Sequence, residues 1–406
     1  MKKILFFGEP ATLAHVARPA VLASGLDKSR FEVEFATGPD FENVARDLGL
    51  CVRRLDAIGT RRYLAAVAGG RVVFPYEVLE GYVREDLQHI EAFKPDVIVG
   101  DFRLSLAVSA RLARVPYVLI SNAYWSPFSS TRIEIPAHPA TRVLGARLAN
   151  ALFRPISGLI LGHHAAPMNR LLRAHGMSPL GPDLRKVFTE ADVTLFADVP
   201  ELAPTQPSAP QDRYRYVGPV VWSPKVPLPS HLSTRRLDGL PLVYVSLGSS
   251  GDRSVVSTVV KALTAHADAE VVVAGQPVEG LDSSDRIHFV SLAPGDVLAR
   301  LSRVVVCNGG SPGCHQALLE GTPVLGIPTN LDQLLNMQGI VSTGVGLSAR
   351  SDSITSARIS KCIDALLQDS SYANAARRMQ SIFAARKPVE VLESVLLECD
   401  GSRFTS

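Results

Sequence analysis

The residues with the most chemistry in them lie between positions 307 and 333. Cys307-Asn308-Gly309-Gly310-Ser311-Pro312-Gly313 is followed by Gly321-Thr322-Pro323 and then by Asp332-Gln333. A β-rich run, Arg303 to Cys307, ends there in a glycine turn, and a short helical stretch follows. That order of elements points backbone N–H groups and a helix N-terminus at a phosphate. Ser311-Pro312 suits an N-cap followed by the first helical residue, where proline's missing N–H costs little. The strand Val324 to Ile327 then delivers the Asp-Gln pair. A phosphate grip with a polar hook beyond it is what a nucleotide-sugar ligand requires. Ser246-Leu247-Gly248-Ser249-Ser250-Gly251 follows another strand-like run, and its small residues and hydroxyls would let a diphosphate come close. Such turns serve structure at least as often.

The other chemical candidates lie in the first half. His15 sits just after the first strand-like run, and Asp101 closes the run Val97-Ile98-Val99-Gly100. A lone His in a βα loop is more often structural, and Asp101 also reads as the N-cap of the helix after it. His163-His164 has no Asp, Glu or Cys at ligand spacing, so no metal is expected there. His315 lies in the helical stretch after the glycine turn and could face the ligand or the helix packing. No Asp-x-Asp motif occurs anywhere in the chain.

These groups need strands that end side by side. Strand-like runs alternate with helix-like ones throughout. In the first half they are Ile4–Phe7, Phe31–Thr37, Cys51–Leu55, Val97–Asp101, Tyr117–Ile120 and Val193–Ala197. In the second half they are Leu242–Leu247, Glu270–Ala274, Ile287–Leu292, Val304–Cys307 and Val324–Ile327. Several are near-continuous Val, Ile and Leu, as in strands buried on both faces of a parallel sheet. The alternation predicts an α/β class with doubly wound sheets. Glu201 to Pro241 breaks it with Pro, Ser and Gln, around a short strand at Tyr214–Val217. We therefore divide the chain into an N-terminal domain (1–216), a linker (217–240), a C-terminal domain (241–385) and a tail (386–406). The tail's helix, about Lys387 to Leu397, is expected to pack back on the first domain. Ligands should bind outside the carboxyl ends of the strands, in the cleft between the domains.

Bulk properties exclude several classes. The 406 residues are 46% hydrophobic and 20% charged, with a formal net charge of +3, too small to argue for nucleic acid. The five cysteines form no Cys-x-x-Cys pair and are expected to be free thiols in a reducing compartment. Met1-Lys2-Lys3 imitates the start of a signal peptide, but the apolar run stops at Gly8-Glu9-Pro10. No stretch approaches the roughly 18 apolar residues of a membrane span. The expected location is cytoplasmic. Residues 101–190 hold eleven Lys/Arg against four acids. Within them, Arg142 to Leu161 reads as an amphipathic helix. Solvated arginines explain that run most simply, and peripheral membrane contact is the alternative.

With these residues in place, a resemblance becomes plain. The second half resembles the donor domain of GT-B glycosyltransferases, in the large family of UDP- and dTDP-sugar transferases for natural products. Those enzymes carry His-x-Gly, then a Glu, then an Asp/Glu-Gln pair sixteen residues on. Here the matching positions are Asn308, Gly310, Gln316 and Asp332-Gln333, with Gly321, Pro323 and Pro328 also matching. The resemblance implies two Rossmann-like domains facing a cleft. It implies that Asn308 and the turn Gly309, Gly310, Ser311 and Gly313 hold the diphosphate. Gly248 and Ser249 would lie on the phosphate side, Gln316 on the ribose, and Asp332 and Gln333 on the donor sugar. Asn308 stands where the family has His, so it can donate to phosphate but cannot become a cation. Pro312 removes one backbone donor. Gln316 brings no charge where the family has Glu, and Leu292 lies where many members place an aromatic.

The first half resembles the family's opening as well. Gly8, His15-Val16 and Pro19, with the apolar run Ala20 to Leu26, match Gly-His-Val-x-Pro. In the family this His is the general base, and an Asp at the position of Asp101 orients it. The chemistry is coherent: a neutral imidazole takes the acceptor's hydroxyl proton as the new C–O bond forms, and a carboxylate fixes its tautomer. The expected reaction is inverting and metal-independent transfer from a UDP- or dTDP-sugar to a hydroxyl, with no cofactor. Two alternatives stand beside it, a non-catalytic GT-B partner protein and a UDP-sugar epimerase. Tyr63, Phe74, Tyr76, Tyr124, Trp125 and Phe128 suit a small apolar or aromatic acceptor, or a lipid. The assembly is expected to be a monomer or homodimer.

Overall fold

The computed structural model describes residues 1–228, 232, 239–248, 251, 253–265, 269–275, 283–284 and 286–399. The chain divides into two compact units. The first comprises Met1–Ser130, Pro155–Val220 and Arg386–Ser406, and the second Thr131–Arg154 and Val221–Ala385. Residues 131–154 thus group with the second unit. Ala137 N donates to Thr329 O at 2.8 Å, and Gln338 Nε2 donates to Arg132 O at 2.7 Å.

The first unit holds a seven-stranded parallel sheet. Its strands are β1 (Lys2–Gly8), β2 (Phe31–Thr37), β3 (Val52–Arg54), β4 (Val97–Asp101), β5 (Tyr117–Ser121), β6 (Val193–Phe196) and β7 (Tyr214–Tyr216). The spatial order is β3-β2-β1-β4-β5-β6-β7, so the winding direction reverses between β1 and β4. β1 reads Lys-Lys-Ile-Leu-Phe-Phe-Gly, and Ile4 through Phe7 are fully buried, as a strand covered on both faces demands. The helix Leu13–Gly25 follows β1, and its Val16, Ala20, Leu22 and Ala23 join the core formed by Phe6, Phe35, Val99 and Ile120. The C-terminal helix Pro388–Glu398 seals that core with Leu392, Val395 and Leu396. Lys2 Nζ donates to Leu396 O at 2.6 Å.

The second unit holds six parallel strands: β8 (Leu242–Ser246), β9 (Glu270–Ala274), β10 (Ile287–Val290), β11 (Val304–Cys307), β12 (Val324–Gly326) and β13 (Gly346–Ser348). Their order, β10-β9-β8-β11-β12-β13, reverses between β8 and β11. Sequence reasoning missed β13. It is three residues long and includes a glycine, too little for a periodicity. The core joins Val243, Val245, Val271, Val304 and Val306 to Val259, Leu263, Ile359 and Ile363 from flanking helices.

The amphipathic stretch forms a longer helix than expected, Pro139–Ala174, interrupted at Gly145 (φ 74°, ψ 154°). Among the described residues, no helix is long and apolar enough to cross a membrane. All five cysteines are free thiols.

Candidate active site

In an open α/β sheet, ligands bind where the strand order reverses. In the first unit that point lies between β1 and β4, whose last residues, Gly8 and Asp101, are register partners. The loop after β1 leads into the Leu13–Gly25 helix, which places His15 in its first turn. His15 Nδ1 donates to Asp101 Oδ1 at 2.8 Å. A carboxylate only accepts, so this bond places the imidazole proton on Nδ1 and leaves Nε2 with its lone pair. Asp101 does not cap a helix: the next one spans Leu106–Ala113, preceded by Ser105.

Asp101 has a second partner that sequence reasoning missed. Arg18, one turn beyond His15, forks onto the same carboxylate: Nε donates to Oδ2 at 2.9 Å and Nη2 to Oδ1 at 3.0 Å. Arg18 Nη1 donates to Asn122 Oδ1 at 2.6 Å. Asn122 Nδ2 in turn donates to Asp198 Oδ2 at 3.0 Å, which also receives Ala123 N–H at 2.6 Å. Burial alone would depress the arginine's pKa, but the Asp101 carboxylate more than offsets it and raises it. The available signal was the i, i+3 spacing of His15 and Arg18 on a helix that must face Asp101.

Phe102, next in the chain, takes a left-handed conformation (φ 62°) that a bulky side chain rarely adopts. Its ring lies 4.3 Å from the His15 ring at an interplanar angle of 11°. Tyr63, Phe74 and Phe188 surround it at 5.9, 5.6 and 5.5 Å, and Trp125 packs edge-on against Phe188 at 4.9 Å. The structure thus packs Tyr63 and Phe74 on Phe102, the ring that stacks on the imidazole, and reaches Trp125 through Phe188. It takes three expected residues away from this cluster. Tyr76 lies under the Arg170 guanidinium at 4.0 Å, Phe128 packs on Tyr214 at 5.7 Å, and Tyr124 is buried in the core.

A buried charge network holds the chain on the far side of Phe102. Arg103 is fully buried and donates to Glu9 Oε2 at 3.1 Å, Asp86 Oδ1 at 3.0 Å and Glu85 Oε2 at 2.7 Å. Its guanidinium lies 3.5 Å from the centre of the Tyr82 ring. Tyr82 Oη donates to the other oxygen of Glu9 at 3.0 Å, and Ser105 and Ser109 donate to Asp86 Oδ2 at 2.6 and 2.9 Å. Burial raises the Glu9 pKa, and Arg103 only partly counters it. Phe102 keeps its strained φ between two anchored neighbours, Asp101 clamped before it and Arg103 after it.

The second unit repeats the arrangement at its own reversal point. Ser246 of β8 and Cys307 of β11 are register partners, so the loops that follow them meet. A Cβ on Gly248 (φ 62°) would lie 3.5 Å from Asn308 Nδ2. Gly309 (φ 79°) passes so close to Met337 that a Cβ there would sit 2.8 Å from its Cγ. Ser249 lies outside the described residues.

This turn differs from its expected form in three ways. Gly309 N–H points at Cys307 Sγ (3.4 Å), and Gly310 N–H donates to Asn308 Oδ1 at 2.9 Å. Both glycine N–H groups are therefore turned into the loop, and the amide of Asn308 works first as a turn former. The helix spans Ser311–Leu319, with Gly310 rather than Ser311 as its N-cap. Its first-turn N–H groups at Ser311 and Gly313 have no partner within the helix by construction, and Pro312 has none to offer. Gln316 lies over Gly295 and donates to Trp222 O at 3.3 Å.

The Asp332-Gln333 pair opens the helix Leu331–Ser342. Gln333 Oε1 accepts from Thr329 N at 2.8 Å and Asn330 N at 3.4 Å, while Asn330 Oδ1 accepts from Gln333 N at 3.0 Å. This capping box commits the carboxamide oxygen of Gln333, which is buried. Asp332 is the half-exposed member of the pair. His315 is buried against the Phe383 ring, 5.3 Å away edge-on. Among the described residues, no cluster of three or more His, Cys, Asp or Glu could hold a metal ion.

Comparison with known proteins identifies the family. Residues 257–397 match the family model described as "Erythromycin biosynthesis protein CIII-like, C-terminal domain". The chain is 40% identical over 402 residues to a PGL/p-HBAD biosynthesis glycosyltransferase of Mycobacterium tuberculosis, covering 98% of this chain and 93% of that protein. It is 39% identical over 383 residues to a PGL/p-HBAD biosynthesis rhamnosyltransferase of Mycobacterium bovis, covering 94% and 84%. The crystal structure of a spinosyn rhamnosyltransferase superposes with a TM-score of 0.72 at 19% identity, over 98% of this chain and 100% of that one. Two parallel-sheet units and relatives along nearly the full length give one conclusion: this chain belongs to the GT-B nucleotide-sugar glycosyltransferases of the natural-product type, and it is a sugar-transferring enzyme.

Proposed function

We propose that the protein catalyses inverting, metal-independent transfer of a sugar from a dTDP- or UDP-sugar to the hydroxyl of a small, aromatic or hydrophobic acceptor. The observation that carries this reading is the His15–Asp101 bond of 2.8 Å beside a cluster of aromatic rings. Nε2 takes the acceptor's proton while the acceptor oxygen attacks the anomeric carbon, and the C1–O bond to the diphosphate breaks. Asp101 steadies the imidazolium that forms. The departing diphosphate is received by the first-turn N–H groups of Ser311 and Gly313 and the amide of Asn308, whose oxygen already bonds Gly310. Asp332 holds sugar hydroxyls. A deoxyhexose donor is favoured by the 39% identical relative named a rhamnosyltransferase, and an aromatic or hydrophobic acceptor by the rings packed around Phe102.

The test is calorimetry with UDP, dTDP, UDP-glucose and dTDP-rhamnose, then nucleotide release with a panel of phenols and aliphatic alcohols. Binding of one pyrimidine diphosphate and release only with phenols is the expected result. Absence of binding to all four ligands refutes the donor assignment.

The Pro139–Ala174 helix supports peripheral membrane contact. It has no acidic residue, and Leu148, Leu152, Ile156 and Leu159 are exposed together with Arg147 and Arg154. Cosedimentation with phosphatidylglycerol vesicles but not phosphatidylcholine vesicles is expected, and equal recovery with both refutes it. Five free thiols suit a reducing, cytoplasmic location.

A further inference from the structure

We infer that Arg18 and Asp198 are positioning residues of the base assembly, with Asp198 supplying the negative charge that leaves Asp101 available to His15. The inference rests on the reading of His15 as the general base.

A carboxylate that orients a base normally has one cationic client, the imidazolium formed during the reaction. Asp101 has two. Arg18 already occupies both of its oxygens, at 2.9 and 3.0 Å, and also lies 3.4 Å from His15 Nδ1. With Arg18 and Asp101 alone, proton uptake by His15 would leave two cations sharing one buried carboxylate. The structure provides the missing charge two strands further along the sheet, at the end of β6. Asp198 is buried and follows β6. It receives the Asn122 amide, whose oxygen receives Arg18 Nη1. With His15 neutral, the set Arg18, Asp101 and Asp198 carries a formal −1; with His15 protonated it is neutral. The chain Asp198–Asn122–Arg18 also pulls the guanidinium away from the imidazole, so that Arg18 does not monopolise Asp101 Oδ1. Such networks couple their members, and removing one partner alone leaves another unbalanced.

The proposal makes an unusual demand on a double-mutant cycle. Asp198→Asn is expected to lower kcat about tenfold with the donor's affinity unchanged, because the unbalanced arginine competes for Asp101. Arg18→Met is expected to lower kcat by a similar factor. The double variant restores the formal charge of the wild type and should recover most of the loss, so the two penalties must not multiply. The kinetic measurement uses dTDP-rhamnose with 4-nitrophenol. His15→Ala, run alongside, separates the two ideas. If it leaves transfer intact, the base assignment itself falls. If it abolishes transfer while the two penalties multiply, only the present inference falls.

A second measurement does not depend on turnover. In ¹⁵N-histidine NMR, a downfield Nδ1–H proton of His15 is expected in the wild type, lost in Asp198→Asn and regained in the double variant. The same signal in all three proteins overturns the proposal.

Discussion

Phe102 is expected to reverse the usual order of alanine and glycine. At an ordinary position, Gly is less stable than Ala by about 0.5–1 kcal/mol, because it frees the unfolded chain. Phe102 sits at φ 62°, where any residue with a Cβ meets the following carbonyl at a cost of roughly 1–2 kcal/mol. Truncation to Ala keeps that strain and loses the ring, with its stack on His15 and its packing on Tyr63, Phe74 and Phe188. The ring is half-buried, so the loss should be about 2–3 kcal/mol, below the range for a fully buried Phe. Truncation to Gly loses the same ring but releases the strain. The Gly variant should therefore be the more stable of the two, by about 1 kcal/mol after the entropy of the unfolded chain is counted. For a unit of this size, that is a Tm difference of roughly 2–4 °C, read side by side by circular dichroism. Both variants should lose turnover, since neither holds the imidazole plane. Equal melting, or an Ala variant above the Gly variant, would falsify the claim that Phe102 is strained between Asp101 and Arg103.

Three further outcomes follow from other parts of the molecule. His15→Ala should lower transfer by about 10² or more while calorimetric donor binding stays at the wild-type value; unchanged transfer removes His15 from the mechanism. Arg103→Met strands Glu9 and Asp86 as buried carboxylates without their cation, and should destabilise the first unit by about 3–5 kcal/mol in urea denaturation; a loss below 1 kcal/mol contradicts the network. Burial pushes the Cys399 thiol up from 9.0 to about 11, with Lys2 opposing it. The folded state thus keeps the thiol neutral where the unfolded chain ionises it, so the contribution is complete below pH 9 and is lost as pH rises toward 11. Cys399→Ala should flatten that decline, and an identical slope in the variant rejects the assignment.

The sequence was legible wherever one residue type did one job. Continuous Val/Ile/Leu runs announced the buried parallel strands, Asp101 and the Asn308–Gly313 turn lie at or just after strand ends, and His15 lies in the first turn of the helix that follows β1. It was illegible wherever a side chain serves its own backbone. Gln333 reads as a sugar-binding amide from the Asp-Gln pair, whereas the Asn330-x-x-Gln333 spacing makes it the N3 residue of a capping box. Asn308 reads as a phosphate donor and also closes a turn onto Gly310. The aromatic set failed for a different reason: composition names rings without saying which way they face. Tyr124 and Trp125 are adjacent, yet Tyr124 is buried in the core and Trp125 packs on Phe188.

Arg18, Phe102 and Arg103 show what lies beyond local patterns. Each is unremarked in its own segment and acquires a role only when β1, β4 and the helices after them converge. Arg103 is intelligible only once Glu9, Glu85 and Asp86 arrive from two other elements, and such a buried cluster is costly unless all its members are present. What it supplies is a fixed end point. Asp101 is fixed at the other end by Arg18, and the two anchors are separated by one residue. That residue takes a left-handed φ, and its ring stacks on the His15 imidazole. The energy spent on burying charge thus reappears as a defined imidazole plane. An active base has to be held in one plane and one tautomer, whereas a structural histidine needs neither. The two clamps and the strained residue between them are therefore the feature that most separates His15 from an ordinary loop histidine.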